Sequence, residues 1–129
     1  MDDINKYVTE LRHAANIASL NYDIWRTFNG EETRPIFVDT MNTYTLYFQT
    51  AIHAHFAALL IALYRVHEPR SDTVNVPGLV KIVKESHPFS AEIKKTVLSI
   101  GAECEPLFRK VAILRNTVFG HKSKKICSK

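Results

Sequence analysis

Apolar residues recur at helical spacing through almost the whole chain, and strand-like alternation competes nowhere. From about Asp3 to Phe28, Ile4, Val8, Leu11, Ala15, Ala18, Tyr22 and Trp25 fall at alternating intervals of four and three, which marks one face of a helix. Ala14, Ile17, Ile24 and Phe28 form a second stripe that widens this face. Asn29-Gly30 suits a helix C-terminal cap, and Arg34-Pro35 places a proline at the start of the next helix. That second helix is expected from about Ile36 to His67, burying Phe37, Met41, Tyr44, Phe48, Ile52, Phe56, Leu59, Leu63 and Val66. Glu68-Pro69 ends it, and Arg70 to Asn75 reads as a loop. A short helix follows over Gly78 to Glu85, with Leu79, Ile82 and Val83 inward, until Ser86-His87-Pro88 breaks it. Ser90 suits an N-cap for a last long helix whose buried line is Ile93, Val97, Ile100, Cys104, Leu107, Val111, Leu114 and Val118. Pro106 removes one backbone hydrogen bond there, so a bend is expected near Ala102. Gly120 is the expected stop. The predicted fold is all-α: an antiparallel helical bundle of three long helices plus a short one.

Length and charge change this picture in two ways. A chain of 129 residues is a single domain's worth, expected to span 1–129, and large enough to bury a core without disulfide staples. Cys104 and Cys127 have no metal-ligand spacing, and a reducing compartment is the simplest setting for them. The polar, acidic N-terminus MDDINKYV does not read as a secretory signal. The apolar run Phe56 to Tyr64 falls short of the ~20 residues a bilayer requires. A cytoplasmic location with no membrane partner is therefore expected. The net charge of +4 is unevenly spread: Pro106 to Lys129 holds seven basic residues and no acidic one, leaving −3 on the remainder. A basic end of this kind, with the tail 122–129 as its extreme, favours a polyanion.

The same end holds the candidate chemistry. In LRNTVFGHKS, Arg115 carries a permanent planar charge suited to phosphate. His121 is the side-chain type that gives or takes a proton near neutral pH. Asn116 is placed to orient the imidazole or contact a phosphate. RNA supplies its own nucleophile in the 2′-hydroxyl, so this set suffices for phosphodiester cleavage and no metal or other cofactor is called for. Arg109, Lys110, Lys122, Lys124 and Lys125 are the candidate RNA contacts. One chain offers one such histidine, which makes a homodimer with two facing motifs attractive, and the broad apolar surface of the first helix provides area for it. Elsewhere, His53 and His55 point to different sides of a helix and suit no shared metal. Glu103 and Glu105 read as solvated, Cys104 as a small core hydrophobe, and Tyr44, Tyr47 and Phe48 as core rather than base-stacking groups. A late arginine and a histidine past a helix end also fit a plain C-cap.

Arg115, Asn116 and His121, in the pattern Arg-Asn-x4-His, resemble the signature of the HEPN superfamily of small helical bundles. Leu59 to Val83, LLIALYRVHEPRSDTVNVPGLVKIV, resembles its abortive-infection AbiU-like branch, where a long helix ends in an arginine, an acidic residue and a proline before a short helix. The resemblance implies a dimeric, metal-independent endoribonuclease with paired motifs in a shared cleft, acting as a toxin-like effector of phage defence or of a toxin–antitoxin system. It also implies an antitoxin or a nucleotidyltransferase as partner. Some members carry a modifiable tyrosine two residues after the histidine, where this chain has Ser123. A non-catalytic RNA- or nucleotide-binding module and a helical protein-interaction domain stay open as alternatives.

Overall fold

A computed structural model describes residues 2–86 and 88–119. All regular structure among them is helical: α1 (Asp2–Asn29), α2 (Arg34–Thr43), α3 (Thr45–His67), α4 (Val76–Glu85) and α5 (Ala91–Leu114), the last running into a π-helical turn over Arg115–Phe119. The expectation of an all-α chain holds. The single second helix does not, because Tyr44 leaves helical geometry at φ −118°, ψ 48° and divides it into α2 and α3. Hydroxyls compete with the backbone here: Thr43 Oγ1 donates to the Asp39 carbonyl and Thr45 Oγ1 to that of Asn42, both at 2.9 Å. The break turns Tyr44 outward, so it leaves the buried line expected of it.

The most extensive pairing is α1 with α3. Phe28 meets Phe48, Trp25 meets Phe56, and Ala18 packs with Leu59 and Ala62, so the two helices run antiparallel. The inward face of α1 is shifted from the sequence reading. Val8, Ala15 and Tyr22 are exposed, while Tyr7, Ala14 and Asn21 turn inward with Ile4, Leu11, Ala18, Trp25 and Phe28. Asn21 belongs there because it is satisfied. Its Nδ2 donates to the Ile17 carbonyl at 2.8 Å, leaving Oδ1 to accept from His55 Nδ1 at 2.9 Å. His55 therefore ties the two main helices together.

The helix ends follow local chemistry. Ser90 Oγ accepts from the Ile93 amide, as its position suggests. α1 stops at Asn29 as expected, but Gly30 does so without a positive φ. Its role is spatial: a Cβ there would lie 2.8 Å from the Arg26 carbonyl oxygen and from Thr33 Oγ1. Between α3 and α4 the loop closes on Asn75, the one buried polar residue among those described. Its Oδ1 caps α4 through the Gly78 amide at 2.8 Å, and its Nδ2 donates to the Arg70 and Thr73 carbonyls at 2.7 and 3.0 Å. Arg70 also holds Asp72 in a two-pronged pair that lowers the aspartate's pKa and raises its own.

α5 runs through Pro106 as one helix and packs on α4 at Gly101 and on α3 near its C-terminus. By length and composition α3 is long and apolar enough to cross a bilayer, with a mean hydropathy of 1.5 over its most apolar window. The continuous run Phe56–Tyr64 understated this, because Gln49, Thr50, His53 and His55 interrupt the apolar stretch without ending it. Packing within the fold buries Leu59, Leu60 and Ala62 but only a small share of that window, so most of its apolar surface stays uncovered within the chain.

Candidate functional site

The seam between the end of α3 and the end of α5 assembles the candidate site. Tyr64 and His67 lie three residues apart, hence on one face of α3. Glu105, Phe108, Ala112 and Arg115 repeat at helical intervals on the facing side of α5. The guanidinium carbon of Arg115 sits 4.5 Å from the centre of the Tyr64 ring, a cation–π contact. Arg115 Nη1 donates to Asn116 Oδ1 at 2.9 Å. A guanidinium has five donors, so these two contacts orient the group and leave donors for a phosphate.

The backbone contributes to this placement. The Arg115 amide is shared between the Ala112 and Val111 carbonyls, and the chain then widens into the π-turn. An i→i+5 turn holds an extra residue, which shifts the register of Arg115–Phe119 relative to α5. Asn116, expected to serve the histidine or a phosphate, gives its carbonyl to the arginine and keeps its amide donors for that role. Sequence spacing could not show this, because it presumed a regular helix through Val118.

The other predicted residues divide clearly. Arg109 is exposed, but its Nε meets Glu105 Oε1 at 3.3 Å, so its charge is shared with a carboxylate. Lys110 is exposed on α5. His121, Lys122, Lys124 and Lys125, with Cys127, lie outside the described residues. Glu105, read from sequence as solvated, is half-buried and bridges Arg109 and His67, the latter at 3.3 Å. Cys104 is a half-buried free thiol. Tyr44 and Tyr47 are exposed, against the expectation of core packing, whereas Phe48 does pack on Phe28.

His67 escaped the sequence reading altogether. Its signal was its place at a basic helix end, three residues after Tyr64, but the partner Glu105 lies 38 positions away. The imidazole stacks on Phe108 with ring centres 4.0 Å apart and planes 13° from parallel. Together they border a cleft of about 300 Å³ whose other walls include Tyr64, Pro69 and Pro77. A larger cleft of about 730 Å³ opens between α1 and α3, beside Leu11, Ala14, Ile17 and Ala58. Its lining is mainly apolar; the smaller cleft includes Tyr64, on whose ring Arg115 rests, although Arg115 itself lines neither.

An all-helical chain with an arginine held at a helix end before an asparagine and a downstream histidine defines a class, and comparison with known families identifies the branch. The family HEPN AbiU2, described as AbiU2, matches residues 1–126, and the chain belongs to it. No curated protein and no solved structure matches.

Proposed function

We propose that the protein is a metal-independent endoribonuclease acting as a toxin-like effector in phage defence or a toxin–antitoxin pair. The observation that carries this reading is Arg115, oriented by Tyr64 and Asn116 and placed six positions before His121 in a chain of an abortive-infection family. The guanidinium binds the non-bridging oxygens of the scissile phosphate and stabilises the charge that builds on them. The 2′-oxygen attacks phosphorus as its proton leaves to a base. The bond to the 5′-oxygen breaks, and that oxygen takes a proton from the His121 imidazolium. The products are a 2′,3′-cyclic phosphate and a 5′-hydroxyl. The nucleophile belongs to the RNA itself, so no metal-activated water is required. Lys110 and the lysines of the tail, Lys122, Lys124 and Lys125, add sequence-independent attraction for the backbone.

The working form is a two-fold homodimer. Ile93, Ile100, Leu107 and Leu114 recur every seven residues along α5, and all four are exposed, Leu107 by 61%. This is one row of a coiled-coil seam, with the half-buried Val97, Cys104 and Val111 as the other. The chain exposes 10,057 Å², against roughly 6,900 Å² for a compact monomer of this mass. Granting residues 120–129 a fully extended surface of roughly 1,600 Å² leaves an excess larger than the ~800 Å² each partner gives to a standard interface. The row ends at Leu114, so parallel pairing of α5 brings the two Arg115 residues to a common cleft. The first helix, expected to supply this contact, exposes a shorter seven-residue row, Val8, Ala15 and Tyr22, beside Ile17 and Leu20, and is the other face open to such pairing.

The test is cleavage of single-stranded RNA by purified protein in EDTA. His121→Ala should abolish cleavage and keep RNA affinity within a few-fold. Binding without cleavage by the wild type would instead assign a non-catalytic RNA-binding module.

A further inference from the structure

The cleft of about 300 Å³ at the seam is walled by flat and rigid groups: the rings of Tyr64 and Phe108, Pro69 and Pro77, and Ala112. Its volume lies at the lower end for ligand pockets, and walls of this kind suit a flat heterocycle. Single-stranded RNA is recognised by splaying a base out, stacking it on aromatic side chains and hydrogen-bonding its Watson–Crick edge. The polar part of the lining is Glu105, Arg109 and His67. Arg109 Nε donates to Glu105 Oε1 at 3.3 Å, and His67 Nε2 stands 3.3 Å from Oε2. Glu105 keeps 46% of its side chain exposed and Arg109 76%. A carboxylate has about four lone-pair sites and a guanidinium has five donors, so their mutual contact exhausts neither. Side by side they offer a donor, an acceptor and a second acceptor. Guanine alone among the four bases carries the complementary row on its Watson–Crick edge, the O6 acceptor and the N1 and N2 donors. Adenine and cytosine turn a ring lone pair towards the carboxylate, and uracil has one donor between two carbonyls. Arg115 does not line the cleft, but it is close by. It rests on the ring of Tyr64, which does line it, and it follows Ala112 by three residues, ~4.5 Å along a helix. A base in the cleft and a phosphate on Arg115 thus lie within the span of one nucleotide.

We propose that this cleft is a nucleobase pocket selective for guanine, with Tyr64 and Phe108 as its stacking walls and Glu105 with Arg109 as the pair that reads the edge. It deepens the ribonuclease reading by naming the base beside the bound phosphate, and it rests on that reading only for RNA as the source of the base. Arg109 donates to O6, and the Glu105 carboxylate accepts from N1 and N2. His67 stacks on Phe108 with ring centres 4.0 Å apart, which stiffens that wall. Arg109, an RNA contact in the sequence reading, thereby reads a base rather than the backbone.

The full chain is titrated with the 5′-monophosphates of guanosine, inosine, adenosine, cytidine and uridine, and its ¹H–¹⁵N spectrum is followed. Guanosine monophosphate should move the amides of Phe108, Arg109 and Ala112 most. It should saturate at concentrations at least about tenfold below those of the adenosine, cytidine and uridine nucleotides, as a matched two-bond edge allows. Inosine monophosphate keeps O6 and the N1 donor but lacks the N2 amine, and should fall between. Glu105→Gln turns one acceptor into a donor. It should bring guanosine within about twofold of adenosine and keep the thermal midpoint, because an exposed i,i+4 ion pair contributes little to stability. Saturation alike for all five nucleotides, shifts centred away from the cleft, or an undiminished guanosine preference in Glu105→Gln overturns the inference. If that variant does not fold, the wild-type order of the five nucleotides decides alone. Cleavage sites are mapped in parallel on single-stranded RNA in EDTA. Cuts without base preference, beside a titration without guanosine preference, overturn the pocket and leave the ribonuclease reading standing. Guanosine bound in the cleft of a protein that cuts no RNA upholds the pocket and removes the ribonuclease reading.

Discussion

Arg115 and Asn75 show how a polar side chain is fixed for two different ends. Arg115 is half-buried yet keeps donors available, because an aromatic face and one amide oxygen hold it. Arg115→Lys retains charge but loses the planar fork. We expect it to weaken RNA binding only a few-fold while cleavage falls at least tenfold, and Arg115→Ala to damage both, as separate binding and single-turnover measurements will show. Asn75 is held for stability. Asn75→Ala removes the α4 cap and the shorter of two side-chain bonds to the Arg70 carbonyl, leaving only Thr73 Oγ1 at 3.4 Å, a loss of about 2 kcal/mol in urea unfolding. Asn75→Asp should not restore it. It keeps the cap oxygen but turns an acceptor towards the Arg70 and Thr73 carbonyls that Nδ2 now serves.

Which helices exist was legible at the scale of elements, because apolar periodicity and caps are local. Ser90 and the Arg34-Pro35 start stand where the residue types place them. Which face turns inward was less legible in α1. Two overlapping stripes fitted the pattern, and the choice was made by Asn21 and His55, a polar pair no hydrophobic count includes. The break at Tyr44 depends on threonine hydroxyls reaching particular carbonyls, so periodicity ran straight through it. The site was half legible for the same reason. Arg115 and Asn116 are neighbours in sequence, whereas His67 and Glu105 meet only when α3 packs on α5. Ser90→Ala is the simple check on local chemistry, since it removes the Oγ that accepts from the Ile93 amide. About 1 kcal/mol of stability should be lost with RNA affinity unchanged.

The whole molecule leaves a heptad row of apolar side chains uncovered on the helix that leads into Arg115. The proposed pairing along that row would join assembly to chemistry, because α5 leads directly into Arg115. Leu107→Glu puts a charge in the middle of the row. Light scattering at micromolar concentration should then report a monomer where the wild type is a dimer, with RNA cleavage falling more than tenfold. A dimer unaffected by Leu107→Glu would move the interface to another face. The charge distribution belongs to the same scale: from Pro106 onward there are seven cations and no anion, a field that would favour the proposed RNA.

The proposed reaction cuts RNA through the RNA's own 2′-hydroxyl at the Arg115 site. Its most direct measurement is product analysis on an RNA carrying a single 2′-deoxyribose at the mapped cleavage position, run in EDTA beside the all-ribose strand. The all-ribose strand should yield a 2′,3′-cyclic phosphate and a 5′-hydroxyl, and the substituted strand should bind and remain whole. Cleavage of the deoxy-substituted strand, or products with a 5′-phosphate, would make water the nucleophile and contradict the account.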